Sequence, residues 1–226
     1  MKRVWFVVVL LSLFVVLSGR GQIALALPFQ NGSFDSGFAG WSGELVSSDP
    51  DGFPVFTGVD PASDPQFSIS NQVAQLQIDD TYWQVTLFQD FHADQLIGAG
   101  YKMNLSFWLQ WAPTDAGVDL LSATLSGGGD SLDLLSGLGT ANLLDGIAVN
   151  IDVTNFASLP VELAFTIGDF DFITLDNLNL SNIAFSQIAP PTDPPTAPVP
   201  EPATILLVGA GLAGIVFIRN RKKVSF

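Results

Sequence analysis

The chain contains no cysteine, a single histidine (His92) and only eight lysine and arginine residues among 226. Without cysteine it can form neither a disulfide nor a thiolate metal site. A zinc site or a Ser-His-Asp triad would have to be built around one imidazole, which argues against both kinds of centre. Stability must therefore come from a hydrophobic core or from bound metal, and the stretch 27–187 is long enough for one such core.

Positive charge is nearly absent from the middle of the chain. Lys102 is the one lysine or arginine within residues 27–200, which hold 21 carboxylates and so carry a formal charge of −20. Such a surface repels phosphate backbones, so the sequence excludes nucleic-acid binding. Mutual repulsion would keep the protein soluble outside the cell. Clustered aspartates also offer the oxygen ligands that Ca²⁺ prefers, which is the alternative interpretation of this charge.

Apolar and polar residues alternate over much of the chain. From Tyr101 to Trp111 the odd positions are apolar or aromatic and the even ones, Trp108 apart, are polar or charged. This is the period of a half-buried strand, and it recurs at 74–78, 83–87, 147–153 and 161–167 between clusters of turn-forming residues. A helix within 132–144 is the alternative for one segment, which its two glycines disfavour. The sequence predicts an all-β fold, an antiparallel β-sandwich of the jelly-roll type.

The first 26 residues have the pattern of a secretory signal peptide. Two basic residues precede an apolar stretch at 4–17, and Ala24-Leu25-Ala26 is a small-x-small cleavage pattern. A retained N-terminal membrane helix is the alternative, because Arg20 lies between the apolar stretch and the cleavage pattern. We expect the mature chain to begin near Leu27, with the sandwich domain spanning 27–187.

The C-terminal part of the chain changes composition three times. Seven prolines lie within 189–202, which favours extended polyproline II and makes 188–198 a semi-rigid linker. Val199-Pro200-Glu201-Pro202 comes next, followed by an uncharged apolar run at 203–218 that as a helix would reach about 24 Å, short of the roughly 30 Å hydrocarbon core. The basic cluster at 219–223 places this end in the cytoplasm and the sandwich across the membrane. The alternative, a buried helix of a soluble core, leaves the basic cluster unexplained.

Residues 199–226 together resemble the PEP-CTERM sorting signal of Gram-negative bacteria, which consists of a Pro-Glu-Pro motif, a hydrophobic helix and a basic cluster. In that family the signal is read by a membrane protease of the exosortase type. The resemblance implies Val199, Pro200, Glu201 and Pro202 as the sorting motif and the exosortase as partner. It also implies export across the inner membrane, at least transient anchoring by the C-terminal helix, and a final location at the cell surface or outside the cell.

Three further motifs resemble the jelly-roll modules of the galactose-binding-like superfamily, over residues 29–185. They are Asn31-Gly32-Ser33-Phe34-Asp35-Ser36-Gly37 with Gly40-Trp41, the segment Tyr101 to Leu109, and Leu175-Asp176-Asn177-Leu178. Many such modules bind carbohydrate and hold a structural Ca²⁺ between the first and last strands. By position the resemblance implies Asp35 and Asp176 as shared ligands of that ion. The alternative is that they are ordinary turn and bulge residues, since a phase change in the apolar pattern predicts a β-bulge around 176–177.

Aromatic residues are the candidates for a ligand site. Trp108 lies on the polar face of its predicted strand, and Tyr82 is opposite in phase to Trp83 on another. Exposed rings stack against the apolar faces of sugars while neighbouring amides and carboxylates pair with the hydroxyls. The alternative is that Trp108 packs in the core against the second sheet.

Two functional classes follow from these features. We expect an exported, non-enzymatic surface or matrix protein that associates with extracellular polysaccharide or biofilm. The rival is a glycan-active hydrolase that uses Asp169 and Asp171 as its carboxylate pair, although two aspartates at one strand end also fit a solvated loop.

Overall fold

The structure is a computed structural model that describes residues 28–113, 119–138, 140–169 and 176–191. The predicted signal peptide, the Pro-Glu-Pro motif, the apolar run at 203–218 and Asp171 all lie outside these ranges. Within them the chain forms a short helix, α1 (Thr140–Asp145), a 3-10 turn at Thr154–Phe156 and eleven strands. The strands are β1 (Ser42–Ser48), β2 (Pro54–Val59), β3 (Phe67–Ser70), β4 (Val73–Gln77), β5 (Gln84–His92), β6 (Lys102–Ala112), β7 (Asp119–Gly127), β8 (Asp130–Asp133), β9 (Ile147–Asp152), β10 (Pro160–Asp169) and β11 (Asn177–Ile188).

The strands form two antiparallel sheets, which confirms the predicted β-sandwich. Sheet A has six strands in the order β2-β1-β5-β10-β7-β8, and sheet B has five in the order β3-β4-β11-β6-β9. The chain crosses repeatedly from one sheet to the other, so that sequence neighbours such as β5 and β6 lie in different layers. This connectivity leaves β11, the last strand, at the centre of sheet B, between β4 and β6.

The alternation seen in the sequence marks the inner faces of the two sheets. Met103, Leu105, Phe107 and Leu109 of β6 are each at most 2 % exposed and point into the sandwich. The opposing sheet contributes an equally apolar set from β1, β5 and β10, namely Leu45, Val85, Leu87, Leu163 and Phe165. Burying each such side chain stabilises the fold by about 1.5–3 kcal/mol. A core of this size explains how the domain holds together without disulfides.

The loop before β1 is held by the asparagine of the first motif. The side chain of Asn31 donates from Nδ2 to the carbonyls of Gly37 (2.8 Å) and Ala39 (3.1 Å), and its Oδ1 accepts from the amide of Ser36 (3.2 Å). The next residue, Gly32, lies against β11, where a Cβ would come within 1.9 Å of the Ile183 carbonyl oxygen. The Asn-Gly pair is therefore required by a loop closure and a close backbone contact.

Two local expectations concern β11 and the segment 132–144. The β-bulge predicted around 176–177 depends on the phase of residues 173 and 175, which lie outside the described residues; within them, β11 begins at Asn177 and its register with β6 shifts between Ser181 and Ala184. The left-handed backbone of Asn182 (φ 55°) absorbs the extra residue at that point. The segment 132–144 is part strand and part helix, since β8 ends at Asp133 and α1 begins at Thr140. No helix in the described part of the chain is long and apolar enough to cross a membrane.

Candidate functional site

The strands of the two sheets differ in charge. The strands of sheet A contain seven carboxylates and no lysine or arginine, whereas those of sheet B contain one charge of each sign, Lys102 and Asp152. These two side chains form an ion pair with Nζ to Oδ2 at 2.7 Å. Sheet B thus presents an electrically neutral surface on a domain whose overall charge is strongly negative.

The outward face of sheet B consists mainly of amides and hydroxyls, and we call it the amide face. It is defined by the side chains that alternate with the buried residues of β3, β4, β6, β9 and β11. Its uncharged polar members are Ser68, Ser70, Gln75, Gln77, Asn104, Ser106, Gln110, Asn150, Asn177, Asn179, Ser181 and Ser186. Trp108 is the one aromatic residue among them and lies between Ser181 of β11 and Ala148 of β9.

Strand register brings these amides into hydrogen-bonded rows. Asn179 lies directly between Gln75 and Gln110, and its Nδ2 donates to Gln110 Oε1 at 3.3 Å. In another row Asn104 Nδ2 donates to Asn150 Oδ1 at 2.8 Å. Each amide carries two donor hydrogens and an acceptor oxygen. These contacts use only part of that capacity, so the rows keep donors and acceptors for a ligand while neighbouring side chains hold each other in place.

Trp108 is half-buried beneath the end of α1. Gly146, the residue after the helix, passes over the indole ring so closely that a Cβ there would lie 2.5 Å from Trp108 Cζ2. The backbone of Gly146 is left-handed (φ 83°), which favours glycine in its own right. Gln110 Nε2 donates to the carbonyl of Leu144 (3.2 Å) and ties the same helix to the sheet. The ring therefore lies on the outward face of sheet B, half-buried against the residue that follows α1.

Tyr82 does not share a surface with Trp108. It lies in the loop between β4 and β5, where its backbone amide donates to Asp79 Oδ1 (3.3 Å) and its ring packs against the hydrophobic core. Trp108 is on the opposite side of sheet B from that core. The structure thus places one of the two predicted aromatic residues on the outward face of sheet B and the other at the edge of the core.

Asp35 and Asp176 lie near opposite ends of β4. Asp35 accepts hydrogen bonds from Ser33 Oγ (2.6 Å) and from Gln72 Nε2, just before the strand begins. The carbonyl of Asp176 accepts from the amide of Ile78 (3.2 Å), just after the strand ends. Six residues of extended chain span about 20 Å, whereas two oxygens bound to one Ca²⁺ lie within about 5 Å of each other. The structure does not bring the two carboxylates together.

The physical reason is the direction of β11. This strand runs antiparallel to β4. The loop that carries Asp35 contacts the C-terminal half of β11, where the amide of Ile183 donates to the carbonyl of Gly32 (3.0 Å). Asp176 lies just before the N-terminal end of β11 and is buried (1 % exposed). Among the described residues no group of three or more His, Cys, Asp or Glu side chains is placed to hold a metal ion.

Carboxylates gather instead on the outward face of sheet A. Glu162 of β10 lies directly opposite Asp90 of β5, and Glu44 of β1 projects from the same face. Burial raises the pKa of Glu162, and the negative charges of Asp90 and Glu44 raise it further. Of the predicted hydrolase pair, Asp169 ends β10 and is buried (2 % exposed), and Asp171 lies outside the described residues.

The amide face is not evident from the sequence because its members come from five separate strands. Their side chains share a surface only through the register of those strands, which the sequence does not state. One signal was available: the even positions of β6 are uncharged between Lys102 and the end of the strand in a chain rich in aspartate.

Residues 198–222 match the family model described as the PEP-CTERM protein-sorting motif. The chain ends in a PEP-CTERM sorting motif. This motif implies export of the protein and processing by an exosortase, a membrane protease. The match covers the C-terminal segment and does not extend to the sandwich. No curated protein matches the chain significantly.

The sandwich has distant similarity to solved structures of other proteins. One is the enzymatically active domain of tailspike protein 4 from bacteriophage CBA120, at 14 % identity and a TM-score of 0.40 over 71 % of this chain and 21 % of that one. Another is the extra C-terminal domain of an exo-1,3/1,4-beta-glucanase from a Pseudoalteromonas species, at 14 % identity and a TM-score of 0.29 over 68 % of this chain and 88 % of that one. This chain thus spans about a fifth of the tailspike structure. Both TM-scores are low, and neither similarity bears on the function of this chain.

Proposed function

We propose that this is an exported, non-enzymatic protein of the cell surface or extracellular matrix, sorted by an exosortase, whose sandwich binds extracellular polysaccharide on the amide face. The observation that carries the proposal is the position of Trp108, which is held on the outer surface of sheet B among side-chain amides and hydroxyls. The sorting motif at 198–222 supports the export route.

The chemistry of a sugar matches the two kinds of group on this face. A pyranose ring has an apolar face that stacks on an indole and equatorial hydroxyls that both donate and accept hydrogen bonds. Amide side chains offer a donor and an acceptor within one planar group, so they pair with neighbouring hydroxyls. Because Asn179 and Gln110 already contact each other (3.3 Å), less side-chain freedom is lost when a ligand binds.

The rival function, glycan hydrolysis, has one observation in its favour. Glu162 and Asp90 are cross-strand neighbours, whose Cβ atoms are typically about 5 Å apart. The pKa of Glu162 is raised by burial and by neighbouring charge, as a general acid requires. We rank this function second because the two carboxylates lie on the outward face of sheet A, whereas the aromatic platform is on sheet B.

Retention on the producer's own exopolysaccharide tests the proposal. The full chain should be retained, and Trp108→Ala should lose at least about tenfold in affinity, equivalent to 1.4 kcal/mol. Phe53→Ala is the matched control, because Phe53 is an exposed aromatic residue (61 %) next to β2 of sheet A. Equal retention of all three proteins would refute binding through Trp108.

Two further measurements separate the rival function and the sorting route. Release of reducing ends that is lost in Glu162→Gln would show that the protein is an enzyme. Mass spectrometry of both termini, in cells with and without the exosortase, should find a C-terminus cut within the sorting motif only when the enzyme is present. An intact C-terminus in both strains would contradict exosortase processing.

A further inference from the structure

We infer that the ligand of the amide face is an uncharged polysaccharide, bound as an extended chain. The inference rests on the proposed function and deepens it by naming the class of ligand. Its basis is the distribution of charge in the sandwich: the strands of sheet B have no net charge, on a domain that is otherwise strongly acidic.

An anionic polymer would find no unpaired lysine or arginine among the described side chains of this face. The one lysine of the domain, Lys102, lies at the start of β6 and is already paired with Asp152 at 2.7 Å. Asp145, the last residue of α1, is exposed and precedes Gly146, the residue that packs on Trp108, so it adds negative charge to this part of the domain. A uronate or sulfate group bound near Trp108 would lose hydration and meet repulsion, with no ion pair to offset either.

A cationic polymer would be attracted to a different surface. Glu44, Asp90 and Glu162 all project from the outward face of sheet A, so this face draws positive charge by simple Coulomb attraction. Such binding would not need Trp108. A ligand that depends on Trp108 is therefore one for which hydrogen bonds and stacking, and not charge, supply the affinity.

The arrangement of polar groups around the ring fits a chain of several sugars. Along β6 the amide of Gln110 lies on one side of Trp108, and Ser106 and Asn104 lie on the other. The stretch from Asn104 to Gln110 spans about 20 Å, which exceeds one sugar ring. Polar side chains on both sides of the aromatic platform would contact the units that precede and follow the stacked one, so a monosaccharide should compete poorly.

Affinity for such a ligand should be insensitive to salt and pH. Between about 50 and 500 mM salt the affinity should change by less than about twofold, because no counterions are released and no exposed ion pair is formed. Between about pH 5 and pH 9 it should also be constant, since indole, amide and hydroxyl groups do not titrate there. The affinity of a ligand held by ion pairs would change with both salt concentration and pH.

In the experiment, the producer's exopolysaccharide is separated by anion exchange into a neutral and an acidic fraction. Binding of the full chain is then measured to each fraction and to alginate, a polyanion. We expect binding to the neutral fraction that is independent of salt, reduced at least about tenfold in Trp108→Ala and unchanged in Phe53→Ala. Asn179→Ala should reduce it as well, which keeps the test valid if Trp108→Ala does not fold.

The possible outcomes distinguish the inference from the function on which it rests. Binding to the acidic fraction or to alginate that is lost in Trp108→Ala or Asn179→Ala would overturn the inference and leave the proposed function standing. Binding to neither fraction by the folded wild-type chain would overturn both. Binding to the neutral fraction that persists in both variants would place the ligand on another surface.

Discussion

The close contact between Gly146 and Trp108 predicts that Gly146→Ala lowers the melting temperature of the domain. In Gly146→Ala the new methyl group would lie 2.5 Å from Trp108 Cζ2 and 3.0 Å from Cε2, well inside the 3.5–4.0 Å at which carbon atoms normally meet. The left-handed backbone at this position (φ 83°) adds about 1–2 kcal/mol for any residue with a Cβ. Either the chain over the ring or the ring itself must move.

Gly137→Ala isolates the effect of the contact. Gly137 has nearly the same backbone angle (φ 81°), but a Cβ there would meet nothing within 4 Å. The two variants therefore share the backbone penalty and differ by the clash, for which overpacking data suggest about 1–3 kcal/mol. For a domain of this size we expect Gly146→Ala to melt about 3–9 °C below Gly137→Ala.

Calorimetric melting of both variants is the assay, and polysaccharide retention is the second readout. Displacement of the ring should weaken retention in Gly146→Ala and leave it unchanged in Gly137→Ala. Equal melting temperatures for the two variants would refute the close packing of α1 on Trp108. A lower melting temperature with undiminished retention would show that the position of the ring does not matter for the ligand.

Three further predictions concern charge. Burial, and then the charge of Asp90, raise the pKa of Glu162, so the folded state binds a proton on this carboxyl group more tightly than the unfolded state does. The stability that the bound proton contributes is present below pH 4.5 and is lost as the pH rises through the raised pKa. Glu162→Gln should accordingly raise the free energy of unfolding at neutral pH by about 0.2–1 kcal/mol, and a loss of stability in urea melts would contradict this. The hydrogen bond from Lys102, and then those from Thr154, lower the pKa of Asp152 from 3.8 to about 2, so its contribution is present above pH 3.8 and is lost as the pH falls through about 2. The pair is exposed to solvent, so Asp152→Asn should cost less than about 1 kcal/mol, and a larger loss that survives high salt would show that screening was overestimated. Asp35→Ala and Asp176→Ala should have additive effects on the free energy of unfolding, both with Ca²⁺ and with chelator, because distant sites do not couple. A coupling free energy above about 0.5 kcal/mol that chelator abolishes would mean that the two carboxylates share an ion.

The sequence predicted the fold class because alternation at period two is a local property. The odd positions of β6 are buried and its even positions face outward, as the pattern from Tyr101 to Trp111 indicates. Edge strands were harder to find. β2 is exposed along most of its length and β3 has four residues, so neither needs a clear apolar alternation.

The candidate site was only partly accessible to sequence reasoning. Trp108 stood out because it interrupts a polar face, and the structure places it on the outside of the sandwich. Tyr82 is predicted from its phase relative to Trp83, and the Asp35–Asp176 pair from chain position. Spatial proximity of the two aspartates depends instead on which halves of β4 and β11 adjoin the first loop. Strand direction and register are long-range properties, so the amide rows could not be predicted from the sequence.

Binding of polysaccharide to the amide face is tested most directly by side-chain amide NMR. Asn and Gln side chains give signals of their own, so titration with a neutral oligosaccharide prepared from the producer's exopolysaccharide reports on each position. We predict shifts at Gln110, Asn179 and Asn150 together with the indole N–H of Trp108, and none at Gln89, which is buried at 3 % exposure in sheet A. Shifts confined to sheet A or to the loops, with the sheet B amides unmoved, would contradict the account.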